Sequence, residues 1–169
     1  MPISLHAAII PSMLQILGAA KGWIDRAEAS PLSEDEVLEA RLIEDMLPFA
    51  YQVKSVAVHT QGALEGVRRG IFSPDLAPPP ASFAGLRERL DEAITYLDSL
   101  GEDEIEALRK RPMRFEFGER KVPFTVPDFL LSFSQPNFYF HASTAYGILR
   151  AKGIEVGKRD FLGALRVLA

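Results

Sequence analysis

Pro136-Asn137-Phe138-Tyr139-Phe140-His141 is the stretch on which the reading of this chain turns. It lies within a longer segment, Thr125 to Leu162, whose polar and apolar residues repeat with helical spacing. At about 100° per residue, Leu130, Asn137, His141, Thr144 and Ile148 share one narrow sector. Phe133, Phe138, Phe140, Ala145 and Leu149 flank it, while Ser132, Tyr139, Ser143, Tyr146 and Arg150 collect opposite, as a solvent or partner face. The apolar arc is wider than the stripe of a surface helix, so the segment is expected to be a central helix with Asn137 and His141 on its buried side. A buried polar group without a partner costs roughly 1–3 kcal/mol. The pair therefore needs other side chains, water or a metal.

Composition narrows the options. The chain has 169 residues, 47% of them hydrophobic, enough for one domain with a sizeable core. Nineteen Lys and Arg against 23 Asp and Glu give a net charge of −4, which offers no electrostatic reason to expect nucleic acid or an anionic membrane. The absence of cysteine excludes disulfides, thiolate metal sites and a cysteine nucleophile. Met1 to His6 lacks the basic and apolar regions of a signal peptide, and no uninterrupted apolar run reaches the ~18 residues of a membrane span. A cytoplasmic protein is the expectation.

The remaining pattern is helical. Ser4 is expected to cap a first helix to Glu28, with Pro11 marking a kink or restart. Ser33-Glu34-Asp35-Glu36 reads as a capping box. A second long helix is expected over Arg41–Arg69, bent at Pro48, with Leu42, Met46, Phe49, Val53, Val56, Ala63, Leu64 and Val67 in its core stripe. Asp45, Gln52 and His59 follow that stripe at seven-residue spacing and read as a polar seam. The Pro-rich run Gly70–Ala81 is an extended connection, and Ser82 caps a third helix to Leu100. A short helix over Glu102–Arg109 follows. Met113–Phe117 and Lys121–Phe124 then alternate about a Gly-containing turn as a small β-hairpin, with Pro123 on an edge strand. Thr125 caps the fourth helix, which bends at Pro136 and stops at Gly153. The tail, Gly153–Gly163, is expected to fold back and pack Phe161 and Leu162.

Few catalytic arrangements fit three histidines and no cysteine. There is no Gly-x-Ser-x-Gly elbow and no glycine-rich phosphate cradle. A metal site between helices stays open, with His141 joined by His59 or His6 and assisted by Asp45 or Asn137. So does a metal-free pocket in which Gln52, Asn137 and His141 bond to one another. His6, at a helix start, is more simply a residue bonded to backbone or water.

Phe138-Tyr139-Phe140-His141, Ala145-Tyr146, Leu149-Arg150, Gly153 and Gly157-Lys158-Arg159-Asp160 together resemble the signature of the domain-of-unknown-function family 1993. The resemblance takes in Gln52-Val53 and the Pro-rich loop, and so nearly the whole chain. It implies the DinB/YfiT-like metalloenzyme superfamily: an all-α, up-down-down-up four-helix bundle, frequent homodimers, and in metal-binding relatives three histidines holding zinc or nickel. One of those histidines comes from the second helix and two from a His-x-x-x-His pair on the fourth. Matched by register, the pair falls on Asn137 and His141 and the second-helix ligand on Gln52, with His59 two turns further on. Only His141 keeps the implied ligand type. The expectation is a DinB-like bundle with a metal-free polar pocket around Gln52, His59, Asn137 and His141, either structural or for a small-molecule ligand. The alternative is a metal-dependent hydrolase or transferase with a degenerate site.

Overall fold

The computed structural model describes residues 3–168, mostly helical with one small sheet. Helix α1 (Leu5–Glu28) begins where Ser4 Oγ accepts the Ala7 N–H at 3.1 Å. It runs without a restart through Pro11 and buries Ile9, Met13, Leu17, Trp23 and Ile24. By length and composition alone α1 could cross a membrane, but its apolar stripe is occupied by neighbouring helices. After α2 (Glu34–Leu38), opened by the expected Ser33/Glu36 capping box, the chain departs from expectation. Residues 41–47 are turns, with the Arg41 guanidinium on the Met46 carbonyl at 2.7 Å, and Leu42 is exposed.

Helix α3 (Phe49–Ala57) starts directly after Pro48. Pro48 therefore begins this helix rather than bending it: proline disfavours the α conformation in the residue before it and fits a helix start. Asp45 is consequently exposed outside the helix and leaves the polar seam. The helix continues through a π-helical turn, Val58–Gly62, into α4 (Ala63–Arg69), which Gly70 closes at φ +77°.

A strand that the sequence pattern did not reveal, β1 (Ile71–Phe72), pairs in parallel with β2 (Pro112–Phe117), which pairs antiparallel with β3 (Arg120–Thr125). The hairpin is thus part of a three-stranded sheet, with Pro123 on the edge strand as expected. Between them lie α5 (Phe83–Asp98), capped by Ser82, and α6 (Glu102–Leu108). Thr125 caps α7 (Val126–Asp128), which passes through a second π-helical turn, Phe129–Ser134, into α8 (Gln135–Ala151). The irregularity falls just ahead of Pro136, where the Gln135 N–H reaches back five residues to the Leu130 carbonyl. Pro136 itself has no N–H to continue an α ladder.

Helix α1 packs on α5 and α8, and α3 packs on α5 and α8, so the four long elements close into a ring. The tail forms α9 (Lys158–Leu162) against α1: Phe161 stacks on Trp23 at 5.5 Å, and the Trp23 indole donates to the Asp160 carbonyl at 2.8 Å. This corrects the outer face expected for the fourth helix. Tyr146 lies against Trp23 and Phe161, and Tyr139 is partly buried on the core. Phe140, expected beside the buried sector, is 56% exposed.

Candidate functional site

Gln52 is buried on α3, 2% exposed, and faces α8. Its amide nitrogen donates to the Leu47 carbonyl at 2.8 Å, which orients its oxygen toward His141. His141 Nδ1 lies 2.7 Å from that oxygen. A carboxamide oxygen only accepts, so Nδ1 carries the proton and Nε2 keeps its lone pair. Burial pushes the His141 pKa down to about 4. Gln52, unlike a carboxylate, supplies no charge to oppose that shift.

His59 stands in the first π-helical turn, 8% exposed. Its ring is 5.5 Å from that of His141, with the planes 16° apart, and is flanked by Phe72 and Phe133. Burial, with a smaller contribution from His141, lowers its pKa to about 3. Its Nδ1 is buried and has no hydrogen-bond partner among the described residues. Both imidazoles are therefore neutral at pH 7.

The two π-helical turns meet at this point. Ser134, wholly buried at the end of the second, donates to the His59 carbonyl at 2.8 Å. Thr60 Oγ1 satisfies the Val56 and Ala57 carbonyls where the first turn widens. Such wide turns recur at functional sites because they re-aim side chains that a regular helix would point elsewhere.

A cavity of about 220 Å³ opens beside the histidines, lined by Tyr51, Ser55, Val58, His59, Phe72, Pro74, Asp75, Phe115, Phe133, Asn137 and His141. Phe72 and Phe115 belong to the sheet, which thus supplies one wall. Another is the Pro-rich connection, held by a lysine that sequence reasoning passed over. Lys54, 4% exposed, bonds to the Asp75 carbonyl at 3.0 Å, to the Ala77 carbonyl, and to the Asp75 carboxylate at 3.2 Å. The available signal was a lysine flanked by core residues in Gln52-Val53-Lys54-Ser55-Val56.

The structure brings His59, Asn137 and His141 to one cavity and places Gln52 behind His141. Asn137 does not join the Gln52–His141 pair: its amide nitrogen donates to the Phe133 carbonyl at 2.7 Å, one turn back. His6 is elsewhere, its Nε2 3.1 Å from the Leu100 carbonyl, the backbone-bonded role open to it from sequence. Among the described residues no three His, Cys, Asp or Glu side chains converge as a metal-ligand group. The donor set does not fit the three-histidine site that the resemblance implies. Gln52 spends its oxygen on His141 and the Asp75 carboxylate is paired with Lys54, leaving two imidazoles and the weakly basic amide of Asn137.

A search of curated proteins finds no match. Among solved structures, the chain is similar to a DinB family member protein from Shewanella denitrificans, with a TM-score of 0.82 and 26% identity over 98% of this chain and 95% of that one. The fold is accordingly DinB-like. Residues 5–162 match the family model described as Domain of unknown function (DUF1993), and the chain belongs to that family.

Proposed function

We propose that the protein is an up-down-down-up four-helix bundle whose core holds a metal-free pocket for a small organic ligand, centred on His141 and His59. The observation that carries this reading is the Gln52–His141 hydrogen bond at 2.7 Å. It holds His141 in one tautomer with Nε2 free. Among the described residues no three His, Cys, Asp or Glu side chains converge as a ligand group, and the carboxylate that lines the cavity, Asp75, is paired with Lys54 at 3.2 Å. Acid–base catalysis is the weaker reading. A general base works best with a pKa near the operating pH, and an imidazole at about 4 is on the order of a thousandfold less basic than one at 7. A partly polar cavity walled by aromatic rings suits binding instead.

The test is titration calorimetry with Zn²⁺ and Ni²⁺ on protein purified without a histidine tag. No micromolar binding is expected. Micromolar binding that disappears in His141→Ala would replace this reading with the metal-dependent one, for which the unpartnered Nδ1 of His59 is the best argument.

A further inference from the structure

The walls of the His59–His141 cavity and the state of its polar atoms specify a ligand class, an inference that rests on the pocket reading above. We infer that the cavity takes a small neutral hydroxyaromatic compound, its hydroxyl donating to His141 Nε2 and its ring lying among Phe72, Phe115 and Phe133.

Size comes first. An apolar cavity of ~150 Å³ is enough for one benzene molecule, so about 220 Å³ holds a single six-membered ring with a polar substituent and little more. Shape follows from the walls. Tyr51, Phe72, Phe115, Phe133 and His59 present planar rings at several inclinations, with Phe115 and Phe133 5.1 Å apart at 49° and His59 and Phe72 5.5 Å apart at 39°. Walls of this kind offer edge and face contacts to a further ring.

Charge is next. The charged groups at the cavity are Asp75, which lines it, and Lys54, which neutralises Asp75 from behind at 3.2 Å. Both histidines are uncharged, so neither an anion nor a cation finds an unspent counter-charge, and a buried ion without one is costly. The polar handle is fixed by Gln52: with the His141 proton held on Nδ1, Nε2 can only accept, and the ligand must donate. A phenolic hydroxyl does this and stays neutral at pH 7, its pKa being about 10.

Phenol, toluene and benzoate, titrated separately into ¹⁵N-labelled full-length protein at pH 7, separate these features. The expected result is that phenol binds at least tenfold more tightly than toluene, shifts the His141 Nε2 resonance, and outcompetes benzoate. In His141→Phe the preference for phenol over toluene should vanish. If that variant does not fold, the Nε2 shift in the wild-type protein decides alone. Equal binding of phenol and toluene, an unmoved Nε2 resonance, or a preference for benzoate would overturn the ligand class and leave the pocket reading standing. Failure of all three compounds to bind would overturn the pocket reading as well.

Discussion

Gln52 sets the chemistry of the pocket, because its carboxamide joins two hydrogen bonds, one to the Leu47 carbonyl and one from His141. Gln52→Ala would remove the bond to the Leu47 carbonyl and leave a largely buried imidazole N–H unpaired. With about 1–3 kcal/mol for the buried imidazole N–H left unsatisfied, the denaturant midpoint should fall by more than a surface substitution would cause, with an unchanged slope. Gln52→Glu should instead raise the His141 pKa well above 4, because a carboxylate stabilises the imidazolium; an NMR titration of the ring reads the change directly. At this scale the sequence was partly legible. The seven-residue spacing of Gln52 and His59 puts both in one polar seam, and the structure turns that seam toward His141 on α8. The third member of that spacing, Asp45, was lost because Pro48 begins the helix beyond it. Phe140 is misjudged for a related reason: a helical wheel assumes one uniform period, and the π-helical turn before Pro136 changes the phase on which the whole segment was laid out.

Helix starts were the most readable elements. Ser4, Ser33, Ser82 and Thr125 each accept a backbone N–H three residues on, as their side chains allow wherever an extended residue precedes a helix. The π-helical turns and β1 were not readable. A widened turn has no local residue signature, and a two-residue strand exists only because β2, some forty positions later, offers it a parallel partner. The Pro-rich connection is extended, as its prolines require, but its role as a cavity wall depends on Lys54. Lys54→Met should release that wall: amide exchange over residues 73–82 is expected to accelerate while protection in α1 and α5 is unchanged. Uniform acceleration throughout the chain would show that Lys54 supports the core rather than the strap.

Across the whole molecule, the buried neutral histidines make stability depend on pH in a definite direction. His59 and His141 bind protons near pH 6.5 when unfolded, but only near pH 3 and 4 when folded. Below pH 6.5 the unfolded chain therefore carries more protons. Stability should be full above that pH and fall as pH drops, by up to about 1.4 kcal/mol per pH unit for each ring. Denaturant melts between pH 6.5 and 4.5, where exposed carboxylates stay largely ionised, should show this slope, and His59→Phe should remove about half of it. The fold was legible at this scale because ring-forming helices need only apolar periodicity and caps. The pocket was less so, since it depends on strands, strap and widened turns meeting around residues distant in sequence. The most direct test of a neutral, metal-free His141 is its imidazole ¹⁵N spectrum over pH 3–8, with and without one equivalent of Zn²⁺. The expected spectrum has a protonated Nδ1, a bare Nε2 and a pKa near 4, unchanged by zinc. A pKa near 6.5, or an Nε2 resonance moved by stoichiometric zinc, would contradict it.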